Sequence, residues 1–232
     1  MAAVDGLLVL WDVDHTLVDV DGVGREAFDL AFLRLFGRPV VHQPPMSGRT
    51  DRAIALDMLR FNDVAEPERH LEPLREGAEQ AMDELAHLLP IRGRALPGAR
   101  DALAAINTST VQSLLTGNVR RNAEIKLQPF GLVTHLDLDS GAYGWSHTVR
   151  ADLVGVARAA AHARHGRRFE RTVLIGDTPL DVEAALSSGA GVVAVATGRY
   201  GAAELEAAGA HVTLPDLADT TRVLAAIRAA GR

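Results

Sequence analysis

The chain has no cysteine. That excludes a disulfide framework, thiolate zinc sites and cysteine nucleophiles, and it fits a reducing compartment. No apolar run approaches a membrane span. The longest early one, Leu7 to Trp11, is short and has no basic leader before it, so the reading expects a cytoplasmic protein without a membrane partner. An excess of positive charge is missing too. The formal net charge is −6 and the arginines are scattered rather than gathered in a stripe, so no nucleic-acid partner is expected. Lysine is nearly absent, with Lys126 its single occurrence. No low-complexity tract interrupts the 232 residues, of which 47% are hydrophobic and 23% charged. Such a length suffices for one good core, or for a core with a smaller inserted domain.

Short apolar runs alternate with helical patterns, the signature of a parallel sheet covered on both faces. The runs Leu7–Asp12, Val111–Thr116, Val133–Leu138, Thr172–Gly176 and Val192–Ala196 are candidate strands, with a weaker sixth around His211–Leu214. Helical stretches are expected at Ala99–Ile106, Arg120–Gln128, Asp152–His165, Leu180–Ser188 and Leu217–Ala230. The interval from Val18 to Arg94 shows helical periodicity and no convincing strand. Leu71, Leu74, Ala78, Ala81, Leu85 and Leu88 recur at three- and four-residue steps, as one face of an amphipathic helix does. Asp51 is placed to cap a further helix carrying Ile54, Met58 and Leu59, after a turn at Gly48. The expectation is a doubly wound α/β core from residues 1–17 and 95–232, with a helical cap from residues 18–94. A loop at the carboxyl end of a strand in such a sheet overhangs the ligand crevice.

The chemistry gathers at strand ends. The first strand runs into Asp12-Val13-Asp14-His15-Thr16. Alternate strand residues point the same way, so Asp12 and Asp14 can aim both carboxylates at one point, and two acids after an apolar run are costly unless a cation or substrate uses them. Gly176-Asp177 and Asp181 repeat the pattern late in the chain. Oxygen-only clusters of this kind suit a hard cation such as Mg²⁺, although either acid can also cap the next helix. Thr116-Gly117-Asn118 joins a strand to a helix and offers a hydroxyl and backbone donors to an anion.

Taken together, these three strand ends resemble the motifs of the haloacid dehalogenase-like hydrolases, over nearly the whole chain. Asp12, Asp14 and Thr16 match the D-x-D-x-T run, Thr116 the strand-ending hydroxyl, and Gly176, Asp177 and Asp181 the closing acidic motif. The long helical interval looks like that family's alpha-helical cap. His15 departs from the pattern, standing where many members have glycine, and is either a turn residue or a substrate contact. The family's phosphate-stabilising cation falls by spacing on Arg150, while Lys126 lies earlier, and both remain candidates.

The resemblance implies a Mg²⁺-dependent phosphatase acting on a small phosphorylated metabolite, similar to phosphoglycolate phosphatases. Asp12 would form an aspartyl phosphate, and Asp14 would be the acid and base, protonated when substrate arrives. Asp12, Asp14 through its carbonyl, Asp177 and Asp181 would hold the metal. Thr116, Gly117 and Asn118, with Lys126 or Arg150, would hold the phosphoryl oxygens. Arg49, in the turn Ser47–Asp51, is either a ligand for an anionic leaving group or an exposed turn residue. A phosphomutase shares these acids. A dehalogenase would need neither Asp14 nor Asp177, and a phosphonatase would need a lysine in the cap, which has none. From another class, a receiver-like phosphorylation switch also holds Mg²⁺ with strand-end acids but needs no large cap. The protein is expected as a monomer or homodimer.

Overall fold

The computed structural model describes residues 6–107 and 109–231. Six parallel strands form its central sheet: β1 (Leu7–Trp11), β4 (Val111–Thr116), β5 (Ala142–Tyr143), β6 (Arg171–Gly176), β7 (Gly191–Val195) and β8 (Val212–Leu214). Their spatial order is β5-β4-β1-β6-β7-β8. The chain leaves β1 toward β4 and β5, then returns to the other side of β1 with β6. The order therefore reverses beside β1, and a ligand crevice opens at such a point, beyond the carboxyl ends of the strands. Pairing of Trp11 with Ile175 puts the ends of β1 and β6 level with one another.

Every β1 residue is buried, because both faces of the sheet are covered. Leu7, Val9 and Trp11 enter one hydrophobic cluster, and Leu8 and Leu10 enter the other. That split follows from the two-residue period of a strand. One face is packed by α5 (Ala99–Ala105), α6 (Arg120–Leu127) and α10 (Thr220–Ala230). The other is packed by α7 (Asp152–His165), α8 (Pro179–Ser187) and α9 (Ala202–Ala207). Burying a leucine such as Leu10 contributes roughly 2 kcal/mol.

Between β1 and β4 lie α1 (Val23–Phe36), α2 (Asp51–Phe61), α3 (Leu71–Leu85) and the short α4 (Leu89–Arg92). Leu71, Leu74, Ala78 and Ala81 form the buried stripe of α3, as their spacing predicts. The first three pack with Phe28, Phe32, Met58 and Leu59 in a separate cluster, while Ala81 joins the cluster that holds Leu7, Val9 and Trp11. Entry to and exit from this helical insertion are tied together by a two-residue antiparallel pairing of β2 (Val18–Asp19) with β3 (Arg94–Ala95), a ladder too short to show in the sequence pattern.

Two expectations are corrected. The run Val133–Leu138 is not a strand; 3₁₀ turns at Val133–His135 and Leu138–Ser140 occupy that region. Asp137 makes a turn there: its carbonyl accepts from Ser140 N–H at 3.0 Å and its carboxylate from Ser140 Oγ at 2.9 Å. This competes with strand pairing, so the sheet edge is formed by β5 instead. At α2, the capping residue is Thr50, whose Oγ1 accepts from Ala53 N–H at 3.3 Å. Asp51 is the first helical residue, and its carboxylate is used elsewhere.

Candidate active site

The acids predicted from opposite ends of the chain do meet. Asp12, Asp177 and Asp181 each bring one carboxylate oxygen within 4.8 Å of the others, and all three are buried. Among the described residues, this is the one cluster of such side chains. Asp12 follows β1 and donates its backbone N–H to Ile175 O at 2.8 Å, which fixes it beside the end of β6. Asp177 follows β6, and its Oδ2 has no hydrogen-bond partner. Burial, then repulsion from Asp12 and Asp181, pushes the Asp177 carboxyl well above the usual carboxylate range, against the pull of Arg150. Asp12 is also raised, chiefly by burial. An all-oxygen donor set of buried acids, one with an unpartnered oxygen, fits a hard divalent cation.

Asp181 is held differently. Its Oδ2 accepts from Thr178 N–H at 3.1 Å and Thr178 Oγ1 at 2.6 Å, closing a capping box at the start of α8. Its Oδ1 lies 2.6 Å from Arg150 Nη2. The helix-capping role and the site role are therefore filled by different oxygens of one side chain.

Both candidate cations reach the site, on different acids. Arg150 stands just before α7 and is buried, with Nη2 2.8 Å from Asp12 Oδ1. It also donates to Gly48 O at 3.2 Å and Leu115 O at 3.3 Å. Lys126, on α6, puts Nζ 2.7 Å from each Asp14 oxygen and 2.6 Å from Asn118 Oδ1. Asn118 Nδ2 in turn donates to Asp14 Oδ2 at 2.7 Å and to Thr116 Oγ1 at 2.8 Å. Asp14 is expected to be protonated when substrate arrives, and these contacts act against that in the free chain. Burial alone would raise its pKa, but the charge and hydrogen bonds of Lys126, with the Asn118 bond, outweigh that and lower it.

The helical insertion docks onto the same strand end. Gly117 O accepts from Asp51 N–H at 2.7 Å, while Asp51 Oδ2 accepts from Val119 N–H at 2.8 Å. A side chain at residue 117 could not be accommodated: its Cβ would lie 2.0 Å from Arg49 O. Glycine is required there by close approach. Burial drives the Asp51 carboxyl up to about 7, despite the nearby Lys126 charge and the Val119 bond. Arg49, left open between ligand contact and exposed turn residue, lines the cavity and is engaged within the protein: Nη2 is 2.7 Å from Asp57 Oδ2 and Nη1 donates to Pro45 O at 3.1 Å. A cavity of about 670 Å³ lies over the acids, lined from both sides and including His15. His15 has φ 57°, the left-handed conformation that glycine adopts without strain, and its side chain is exposed there.

Sequence reasoning missed the loop after β7. Thr197 Oγ1 donates to His15 O, and a Cβ on Gly198 would lie 1.8 Å from Asp177 Oδ2. A signal was present, because Thr197-Gly198 just after β7 repeats the Thr116-Gly117 pair at the end of β4. Asp51 gave no comparable signal, being a helix-start acid like many others.

A family model described as haloacid dehalogenase-like hydrolase matches residues 9–186. The chain belongs to that family. A second model, for a related hydrolase region, matches residues 153–220. A hydrolase from Pseudomonas syringae is similar in structure at 24% identity, with a TM-score of 0.68 and coverage of 95% of this chain and 98% of that one. A predicted phosphatase from Clostridium acetobutylicum is 18% identical, with a TM-score of 0.65 and coverage of 95% and 99%. A predicted phosphoglycolate phosphatase from Haemophilus somnus is 15% identical, with a TM-score of 0.66 and coverage of 95% and 98%. At these identities the likeness concerns the fold. No curated protein matches by sequence. As a member of this family the chain is a hydrolase. Among the described residues, no helix is long and apolar enough to cross a membrane.

Proposed function

We propose that this haloacid dehalogenase-like hydrolase is a Mg²⁺-dependent phosphatase that hydrolyses a small phosphate monoester through an aspartyl phosphate on Asp12. The observation that carries this reading is the meeting of Asp12, Asp177 and Asp181 within 4.8 Å, with Arg150 against Asp12. We further propose that residues 18–94 act as a cap and that residues 1–17 and 95–232 form the catalytic core, a division favoured by the β2–β3 pairing at the junction.

Mg²⁺ would be held by Asp12, Asp177 and the carbonyl of Asp14, with Asp181 behind them, and would offset phosphoryl negative charge. Asp12 attacks phosphorus in line, forming a carboxyl-phosphate bond as the alcohol oxygen departs. Arg150 keeps Asp12 oriented and adds positive charge at the point of attack. Thr116, Gly117 and Asn118 contribute polar groups around the transferred phosphoryl. Asp14, held ionised by Lys126 at rest, is set as the base that takes a proton from the hydrolytic water. In the first half it gives the leaving alcohol a proton taken up from solvent as the anionic ester arrives, since added negative charge raises its pKa. Residues 47–51, docked over Gly117, help exclude bulk water.

A panel of phosphate esters assayed with and without Mg²⁺, on the native chain and on Asp12→Asn, tests the proposal. Phosphate release should require Mg²⁺ and fall on the order of 10⁴-fold in the variant. Comparable turnover by Asp12→Asn would refute it. Isomeric sugar phosphate in place of free phosphate would identify a mutase on the same acids. Stable phosphorylation of the native chain without turnover would identify a switch.

A further inference from the structure

Two arginines of the cavity lining are not paired with any of its acids. Asp19 is neutralised by Arg94 at 2.6 Å, and Asp21 and Glu26 by Arg92 at 3.2 and 2.6 Å. Asp14 is taken by Lys126, and Arg49 is consumed by Asp57. Two arginines of the lining are left, Arg25 and Arg199. The one hydrogen bond of Arg25 runs from Nε to Met46 Sδ at 3.4 Å, a weak acceptor that leaves the other guanidinium N–H groups unspent. Arg199 has no ion pair or hydrogen bond among the described residues.

Their placement is independent of this charge count. Arg25 follows Gly24, where a Cβ would sit 3.0 Å from Lys126 Nζ. Arg199 follows Gly198, where a Cβ would press on Asp177 Oδ2. Each arginine is thus one residue, about 3.8 Å along the chain, from a glycine in close contact with the centre. One comes from the helical insertion on the Asp14 side, the other from the β7 loop on the Asp177 side. The acids, Lys126 and Arg150 account for the phosphoryl end, so these arginines are in excess of what that end requires.

We infer that Arg25 and Arg199 form an anion subsite, and that the substrate is a small phosphate monoester carrying a second negative group, carboxylate or phosphate, on its leaving group. This rests on the phosphatase reading for its ester end. Guanidinium groups offer carboxylate and phosphate paired donors, so the two chemistries share one subsite.

The test compares matched esters on the intact protein with Mg²⁺. The carboxylate arm sets phosphoglycolate against its neutral primary amide, and the phosphate arm sets propanediol bisphosphate against the monophosphate. The ratio of kcat/KM within each pair should be about tenfold or more in at least one arm. Arg25→Ala and Arg199→Ala should each move that ratio toward one, while Arg34→Ala, an exposed arginine paired with Glu84, should leave it in place. Ratios near one in both arms, or a ratio unmoved by both variants, would overturn the subsite. Calorimetric binding of phosphonoacetate against methylphosphonate keeps the question separate from turnover. If no ester is cleaved, yet phosphonoacetate binds about tenfold more tightly and loses that margin in the variants, the subsite stands and the phosphatase reading falls. Equal binding of the two phosphonates removes the subsite whatever the turnover.

Discussion

Asp12 and Asp14 leave the same strand two residues apart, yet their surroundings push them in opposite directions. Asp12 is raised, mainly by burial, although Arg150 pulls against it. Asp14 is lowered because Lys126 contacts both of its oxygens. The ion pairs differ in solvation as well. Side chains of Arg150 and Asp12 are 5% and 7% exposed, against 6% and 35% for Lys126 and Asp14. Twin carboxylates with environments that separate their pKa values are equipped for different tasks. The sealed one suits bond formation to phosphorus. The half-open one, beside a lysine, suits proton exchange.

The sharpest way to break this comparison is to remove each cation. Arg150→Met strands Asp12 and Asp181 together in the interior, and losing one partner of a buried ion pair costs about 3–5 kcal/mol. Urea unfolding should show this loss at neutral pH. Removing the cation raises the Asp12 carboxyl further, so the penalty should shrink as the pH falls and it protonates. A loss independent of pH would place the cost in packing instead of charge. Arg150→Lys should recover only part of it, since one ammonium cannot reach Asp12, Asp181, Gly48 and Leu115 as the guanidinium does.

Lys126→Met should have a smaller effect on stability, because solvent can screen Asp14. Its effect on turnover should be about 10²-fold in kcat. Lys126 lowers the Asp14 pKa, so its removal should move to higher pH the alkaline limb of the kcat/KM profile, which reports the half-reaction where Asp14 must be protonated. An unmoved limb would mean that another group controls it.

The smallest expected effect on turnover belongs to Asp51, whose part is read in stability instead. Its folded pKa is raised from 3.8 to about 7, so between those values the folded chain holds a proton that the unfolded chain releases. Stability from this group therefore falls as the pH rises through that window and is lowest above it. Asp51→Asn keeps an oxygen for Val119 N–H and removes the titration. Chemical unfolding should find it about equal to the native chain near pH 4 and progressively more stable toward pH 7. A difference constant across the window would contradict this.

Much of this architecture was legible from pattern. The cores of β1, β4, β6 and β7 are aliphatic runs, and Asp12 and Asp177 directly follow β1 and β6. Val133–Leu138 misled because its alternation imitates a strand, whereas Asp137 and Ser140 bend the backbone into a turn. Arg49 stood out because it lies in a glycine turn at a helix start, but its partner Asp57 is two helical turns away, and sequence alone does not choose between salt bridge and ligand. Arg25, Arg199 and Asp51 acquire meaning only when the helical insertion and the β7 loop are brought over the sheet, and no local periodicity encodes that approach. The choice between Lys126 and Arg150 was likewise open in one dimension. In three, each serves its own aspartate.

The most direct test is to trap the phosphoryl group. Asp14→Asn, given substrate and Mg²⁺ and quenched in acid, should accumulate a hydroxylamine-sensitive acyl phosphate that peptide mass spectrometry places on Asp12. Phosphate found on any other residue, or full turnover by Asp12→Asn, would contradict the account.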